Sequence, residues 1–336
     1  MGAGLCCSRV AEPRRHEKRP PELGAPARAA RRGRTERGMA RIPSSMPLDK
    51  LDLILPQLID NGLPDNGEFL LADLDASKRT PALIAILVWH GYLPMGGMGM
   101  LLPKIHKARC VLPPSEVHVG KKVRKRAKGF RLSVNQAWPA VVSSIQQLTF
   151  TYSKGDCWLT NEIAAAYQAV GQADSQWRRG NIRFHSIELW HTASGELVAG
   201  EIGYTCGGVY SSCTGFTRKA DYPGTGGVQL AALGRWLARC GFELWDLGME
   251  LDYKLELGGK MVSRSDWAEK IRALRSLPAE LTTPAAEDAE AHRLLAGPPP
   301  GAAEEELPAR QPLAGSSMPS PSPMAQEPAV SSAVPA

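Results

Sequence analysis

A glycine-rich loop, a helix-like segment and a strand-like segment follow one another between residues 224 and 249. Apolar residues recur at helical spacing after Gly224, and the largely apolar run 242–249 follows, with an acid, Asp246, near its end. A helix leading directly into such a strand predicts an α/β fold. Ligands of α/β folds bind at the carboxyl edge of the sheet, so we expect Asp246 to be exposed at that edge. The competing interpretation is an ordinary strand that ends in a turn.

The loop that opens the helix could also bind an anion. Free backbone N–H groups and the helix dipole at such a start attract phosphate or carboxylate groups. The loop contains neither the Gly-Lys-Ser/Thr of a phosphate-binding loop nor the Gly-x-Gly-x-x-Gly of a dinucleotide fold. We therefore predict ligand contacts at Gly226 and Gly227, with a plain loop as the alternative.

The remaining periodicity separates helices from strands along the chain. Apolar spacing predicts helices over 51–58, 81–90, 135–149 and 161–170, and strands over 117–119, 184–190, 197–205 and 209–216. Residues 96–99 are predicted to form a glycine-rich loop. The fold class predicted is α/β, with a helical N-terminal part followed by a mixed sheet crossed by at least one helix.

Composition divides the chain into four predicted segments. Residues 1–45 are basic and poor in large apolar residues, and residues 276–336 contain eight acids, two bases and no aromatic residue. Such segments bury too little apolar surface to offset the entropy lost on ordering, so both are predicted to be disordered. Between them we predict a small N-terminal domain over 46–150 and a mixed-sheet domain over 151–275.

Cysteine usage and hydropathy indicate the compartment. The seven cysteines form no Cys-x-x-Cys pair, which favours a reducing, cytoplasmic setting. The sequence contains no run of eighteen apolar residues, so no membrane span is predicted. Gly2, Cys6 and Cys7 leave lipid acylation with weak membrane association open, and the arginine-rich N-terminus leaves organelle targeting open. No metal site is predicted, because the histidines and cysteines lack zinc-ligand spacing.

Seven cations fall within residues 121–131, which predicts contact with a polyanion. Such clusters bind phosphate backbones by releasing counterions. A solvated surface or a nuclear address is the alternative interpretation. The predicted nucleic-acid contacts are Lys121, Lys122, Arg124, Lys125, Arg126, Lys128 and Arg131.

Short blocks occur in a consistent order over residues 80–275. They are 91–95, 117–119, 157–159, 185–190, 197–203, 216–218, 246, 257–258 and 264–267. Together these blocks resemble the leucyl/phenylalanyl-tRNA–protein transferase family. The resemblance implies a C-terminal domain similar to the acetyltransferase (GNAT) fold. It also implies transfer of leucine or phenylalanine from tRNA to proteins with N-terminal Arg or Lys, which creates an N-degron, with charged tRNA as co-substrate and no other cofactor.

The resemblance also implies site residues. Asp246 keeps a family acid of the catalytic centre, whereas Cys213 stands where the family has Glu and Gly248 where it has Gln. Glu201 occupies the position of a methionine in the family's apolar pocket. Further substrate contacts are implied for Trp158, as an apolar wall, and for Glu188 and Phe216.

An aminoacyltransferase of the leucyltransferase type is therefore the leading hypothesis. Its reaction is attack of an α-amino group on an ester, which requires positioning, removal of a proton and stabilisation of an oxyanion. Cys213 leaves open a thioester route with His185 as its partner. The two replacements leave open a non-catalytic homologue that binds tRNA or peptides. The glycine loop leaves open an N-acetyltransferase that binds acetyl coenzyme A.

Overall fold

The computed structural model describes residues 40–63, 67–75, 79–97, 99–153, 157–170 and 181–296. The predictions for an acylated or targeting N-terminus, and for the tail beyond 296, lie outside these residues. The helices are α1 Leu48–Asp60, α2 Arg79–Trp89, α3 Lys121–Arg126, α4 Trp138–Ser153, α5 Asn161–Ala169, α6 Thr225–Arg239, α7 Asp252–Glu256, α8 Arg264–Leu274 and α9 Ala291–Leu294. The strands are β1 Ala40–Ile42, β2 Leu70–Asp73, β3 Leu93–Gly97, β4 Met100–Lys104, β5 Ala108–Leu112, β6 Phe130–Val134, β7 Arg183–His191, β8 Leu197–Cys206, β9 Val209–Thr217, β10 Leu244–Gly248 and β11 Lys260–Ser263.

The larger sheet has seven strands in the order β11-β5-β10-β9-β8-β7-β6. Its neighbours are antiparallel except for β9 and β10, which are parallel because α6 crosses over between them. This helix–strand unit is the one predicted from residues 224–249, and the α/β fold class is confirmed.

A second sheet lies in the N-terminal part, with the order β1-β2-β4-β3. This part is therefore less helical than the periodicity predicts, and Gly96 and Gly97 of the predicted loop 96–99 belong to β3, which pairs with β4 in a hairpin. Pro94 pairs with Pro103 in that hairpin, and Gly96 and Gly97 occupy the same strand. Prolines and glycines interrupt the alternation by which strands are recognised, which explains the difference.

Residues 117–119 form no strand. They follow a single 3₁₀ turn at Pro114–Glu116 and continue as irregular chain to the start of α3. Val117 and Val119 are nevertheless buried, in the core beneath α6. Alternating valines indicate two buried positions. Here both side chains are buried although residues 117–119 do not form a strand.

The larger sheet combines strands from both sides of the predicted domain boundary at residue 150. β5 and β6 precede it, and β7 to β11 follow it. Arg131 in β6 faces Trp190 in β7, for example, within a continuous antiparallel pair. The predicted boundary rests on composition, which carries no information about pairing between distant strands.

Order continues beyond residue 275, although the composition predicts disorder from residue 276. Trp236 donates its indole N–H to the carbonyl of Thr282 at 2.7 Å, and Thr283 donates its hydroxyl to the carbonyl of Val134 at 2.9 Å. Composition averaged over residues 276–336 conceals this packed stretch, because its few leucines precede a long run of Ala, Pro and Glu. Its buried apolar side chains are Leu281, Ala289, Ala291, Leu294 and Leu295.

None of the helices that the structure describes is long and apolar enough to cross a membrane. The cysteines within the described ranges are all free thiols: Cys110, Cys157, Cys206, Cys213 and Cys240.

Candidate functional site

A pocket of ≈ 650 Å³ opens between the start of α6, the middle of β9 and the end of β10. Four of the predicted substrate contacts meet there: Glu201, Phe216, Gly226 and Gly227. Apolar side chains from α3, α6, β10 and the α7 segment form much of its wall. They are Val123, Leu230, Ala231, Leu247 and Leu257.

Glu201 places a carboxylate in the wall of this pocket. Only 4% of the residue is exposed, and its carboxylate accepts hydrogen bonds from the hydroxyls of Tyr210 at 2.9 Å and Ser212 at 2.7 Å and from the Gln229 amide at 3.0 Å. Burial raises the pKa of Glu201, whereas the three donors and the positive charge of Lys254 act in the opposite direction. The pocket therefore contains an acidic group that is held in place by neutral partners.

Two β-bulges shape the strands beside the pocket. Cys213 is the extra residue where Ile202 pairs with Thr214 and Gly203 pairs with Ser212. Leu247 is the extra residue of β10, between Asp246 and Gly248. A bulge bends a strand and redirects its side chains, and bulges are frequent beside binding sites.

The basic helix α3 forms part of the same pocket. Gly120 and Val123 line it, and the guanidinium of Arg126 packs against Gly224 at the start of α6. Lys121, Lys122, Lys125 and Lys128 are exposed. The predicted cation cluster and the predicted glycine loop therefore meet at one opening.

Two members of the cation cluster are engaged within the fold. Arg124 donates to the carbonyls of Val119 at 3.2 Å and Leu295 at 3.0 Å. Arg131 lies over the Trp190 ring, with its guanidinium carbon 5.3 Å from the ring centre. Both residues contribute positive charge to this surface while also joining neighbouring segments.

Asp246 is buried rather than exposed at the sheet edge, which corrects the expectation from sequence. Its side chain has no exposed surface, and its carboxylate binds Arg109 through two hydrogen bonds and the Gly248 N–H at 2.9 Å. Asp246 alternates with Trp245 and Leu247, which face the pocket side of the sheet. An interior strand position next to an arginine buries the acid and neutralises its charge.

Cys213 and Gly248, the two positions at which the resemblance implies replaced family residues, likewise do not line the pocket. Cys213 is 5% exposed within the core on the side of Tyr167 and Phe184. Gly248 has a φ of 78°, a left-handed conformation that favours glycine. The left-handed backbone that follows the bulge at Leu247 therefore explains why a glycine stands at position 248 of this chain.

Three other sequence candidates, Trp158, Glu188 and His185, lie away from the pocket. Trp158 is half-buried, and its carbonyl accepts from the Gly96 N–H at 3.1 Å. Glu188 is fully buried and accepts hydrogen bonds from Ser133, Ser186 and the Ala137 N–H.

His185 lies on the same strand as Glu188. Its ring bonds Asn135 at 3.0 Å and Thr205 at 3.2 Å, and burial lowers its pKa to about 4. Those hydrogen bonds run to β8 and the β6–α4 turn, so the contacts that the structure gives His185 do not pair it with Cys213.

Several pocket residues are not indicated by the sequence patterns. Gln229 lies one helical turn after Gly226, so spacing along α6 could have indicated it. Lys254 donates to the carbonyls of Leu247 and Met249 at the end of β10, a position that no short motif indicates. The polar lining also includes His118, Ser212, Thr214, Thr217, Lys219, Tyr253 and Glu256.

Comparison with known proteins identifies the class to which this fold and pocket belong. A sequence model described as leucyl/phenylalanyl-tRNA protein transferase matches residues 111–272. Proteins of that name from Chromohalobacter salexigens and Pseudomonas fluorescens are 30% and 32% identical to this chain over 203 and 186 residues. These alignments cover 59% and 54% of this chain and 73% and 76% of the relatives.

The leucyl/phenylalanyl-tRNA–protein transferase from Paracoccus denitrificans is 26% identical to this chain over 185 residues. The alignment covers 54% of this chain and 78% of that relative. A crystal structure of a GCN5-related N-acetyltransferase from Anabaena variabilis aligns with 65% of this chain and 47% of that chain at 10% identity, with a TM-score of 0.28. The relatives define a class of aminoacyl-transferring enzymes. The chain belongs to the leucyl/phenylalanyl-tRNA–protein transferase family.

Proposed function

We propose that this protein transfers leucine, phenylalanine or a similar apolar aminoacyl group from tRNA to the N-terminal amine of an acceptor protein. The acceptor's α-amino nitrogen attacks the ester carbonyl, and the new C–N bond replaces the bond to the terminal ribose oxygen. The ribose oxygen leaves with the proton that the amine loses. The proposed reaction requires no cofactor other than the charged tRNA.

The observation that carries the proposal is that the basic helix α3 and the apolar pocket share one opening. Binding along a phosphate backbone requires exposed cations, which Lys121, Lys122 and Lys125 provide. Binding a leucyl or phenylalanyl side chain needs apolar walls, which Phe216, Leu230 and others provide. An aminoacyl-tRNA combines these two chemistries at its end.

The acceptor would enter at the rim of the pocket. Glu256 and His118 both line the pocket and are both exposed. The backbone N–H of His118 donates to the carbonyl of Leu257, the residue after Glu256, at 2.9 Å. An exposed acid favours an N-terminal Arg or Lys, whose side chain would remain near water. We therefore extend the proposal to acceptors that begin with Arg or Lys, whose products are substrates for N-degron recognition.

The test uses the full chain with tRNA charged with labelled leucine or phenylalanine. We expect label on a peptide that begins with Arg or Lys, and none on the same peptide with an acetylated N-terminus. A peptide that begins with Glu serves as the charge control and should accept less.

A different outcome would identify a homologue that binds without chemistry. The full chain would then bind charged tRNA in a salt-sensitive way while no peptide became labelled. Loss of both binding and transfer would contradict the proposal as a whole.

A further inference from the structure

The pocket combines apolar walls with one deeply set carboxylate. Phe216, Leu230 and Leu247 line it, and the carboxylate belongs to Glu201. A purely apolar ligand would add no donor or positive charge for this buried acid, whose present hydrogen-bond partners are all neutral, and an uncompensated buried charge is costly in a site that excludes water. The occupant should therefore carry an apolar group and a positive group close together.

Counting hydrogen bonds shows that the carboxylate can still bind a ligand. An ionised carboxylate offers about four acceptor positions. Tyr210 and Ser212 donate to Oε1, and Gln229 donates to Oε2. About one acceptor position therefore remains, on Oε2.

The carboxylate is also fixed in direction. Trp245 donates its indole N–H to Ser212 at 2.9 Å, and Ser212 donates in turn to Glu201. Gln229 holds the second oxygen from the opposite wall, on α6. A site pre-organised in this way loses little entropy when it binds one further donor.

We propose that Glu201 binds the α-ammonium group of the donor aminoacyl ester. This inference rests on the proposed function. An amino acid ester such as leucyl- or phenylalanyl-tRNA carries an apolar side chain and an ammonium group on the same carbon. The apolar walls of the pocket would contact the side chain, and the Glu201 carboxylate would accept a hydrogen bond from the ammonium group. An incoming ammonium also offsets the burial that raises the pKa of Glu201, because it stabilises the charged form.

The consequence is selection for a free α-amino group. Donors whose amine is acylated, such as formylated aminoacyl-tRNA or peptidyl-tRNA, lose the positive charge and add bulk beside a buried acid. They should bind poorly although their side chain and tRNA are unchanged.

The experiment measures binding of two stable analogues to the full chain by calorimetry. One is an amide analogue of phenylalanyl-adenosine, and the other is its phenylpropanoyl counterpart, which lacks only the α-amino group. We expect the amine analogue to bind about tenfold tighter or more, as a hydrogen bond between charged groups provides. In Glu201→Gln this preference should disappear, whereas the matched control Glu243→Gln, at an exposed position, should retain it.

Equal binding of both analogues to the unaltered protein would overturn the inference, as would a preference that survives in Glu201→Gln. If Glu201→Gln fails to fold by circular dichroism, Glu201→Met provides the same comparison. An acetylated version of the amine analogue, tested on the unaltered protein, should bind as weakly as the phenylpropanoyl analogue.

The transfer assay separates this inference from the proposed function. Amine preference that depends on Glu201, without labelling of any peptide, would overturn the function alone. Labelling of peptides by a protein that binds both analogues equally would overturn the inference alone.

Discussion

Arg109 in β5 and Asp246 in β10 form a buried ion pair within the larger sheet, on the face that packs against Trp267 of α8. Arg109 also donates to the Gly91 carbonyl at 3.3 Å, and its guanidinium carbon lies 4.6 Å from the centre of the Trp267 ring. Trp267 donates to the same carbonyl at 3.2 Å. The pair therefore joins β5, β10 and α8 to the turn after α2. Asp246 thus contributes to the structure, and the catalytic role that the resemblance implies for it stays a prediction.

Removing either charge should destabilise the fold strongly. Arg109→Met and Asp246→Asn each leave an unpaired buried partner, so we expect each to lower the free energy of unfolding by about 3–5 kcal/mol. The double variant should lose less than the sum of the two, because the partners act together. Urea denaturation followed by tryptophan fluorescence measures these changes.

The control for this prediction is the exposed pair of Arg272 and Asp60, whose side chains are 36% and 51% exposed. Arg272→Met should change stability by no more than about 1 kcal/mol. Losses of similar size in both pairs would contradict a central role for the buried one.

At the scale of whole elements, α3 packs against the N-terminal end of α6. Val123 lies near Gly227, where an added Cβ would be 3.6 Å from its Cγ2, and Arg126 lies against Gly224. Glycine is required at 224, since its φ is 80° and Arg126 occupies the space of a side chain. This packing places α3, which carries the exposed lysines, beside the pocket that Gly120 and Val123 help to line.

Replacing the exposed lysines of α3 should weaken tRNA binding. We expect Lys121→Ala, Lys122→Ala and Lys125→Ala together to lower the affinity for charged tRNA. The slope of log K against log salt should also become shallower, by up to about 0.9 for each phosphate that the variant no longer neutralises. Filter binding over a range of salt concentrations measures both quantities. Replacing Lys50 and Lys270, which are exposed elsewhere, should leave the slope unchanged.

Elements with regular periodicity were predictable, and those shaped by distant pairing were not. α1, α2, α4, α5 and α6 and the strands β7 to β10 follow from apolar spacing alone. The short strands β1 to β5 hold few residues each. The partners of β1, β2 and β5 lie far along the chain, and prolines and glycines interrupt the alternation in the β3–β4 hairpin. Local chemistry indicates Gly226 and Gly227, which line the candidate pocket, whereas the direction of Asp246 depends on Arg109, which is 137 residues away.

At the scale of the whole molecule, the segment 276–296 completes the layer that covers α6 and β6. Leu132 in β6 donates its N–H to the carbonyl of Ala289 at 2.8 Å, and Arg131 pairs with Glu290 as an isolated bridge. Arg124 of α3 holds the carbonyl of Leu295. The segment is therefore attached to both the sheet and the basic helix.

A chain shortened to end at residue 275 should be less stable than one that ends at 296. The shorter chain exposes the apolar surface that Leu281, Leu294 and Leu295 cover, and large-to-small changes at one such site cost about 2–5 kcal/mol. Thermal unfolding of the two versions should give a midpoint lower by about 4 °C or more in the shorter one. Equal midpoints would show that the segment adds no stability.

The position of β5 in the sheet has a consequence for biosynthesis. Val111 in β5 pairs with Asp246 in β10 and with Lys260 in β11, so both of its partners are made long after it. At ribosomal rates of about 5–20 residues per second, β5 leaves the exit tunnel on the order of ten seconds before β11 does. During that interval a nascent chain exposes an unpaired apolar strand, and the larger sheet can close only after residue 263 has emerged. Chaperones that bind exposed strands at the ribosome should therefore have their greatest effect on this protein between the synthesis of residues 112 and 263.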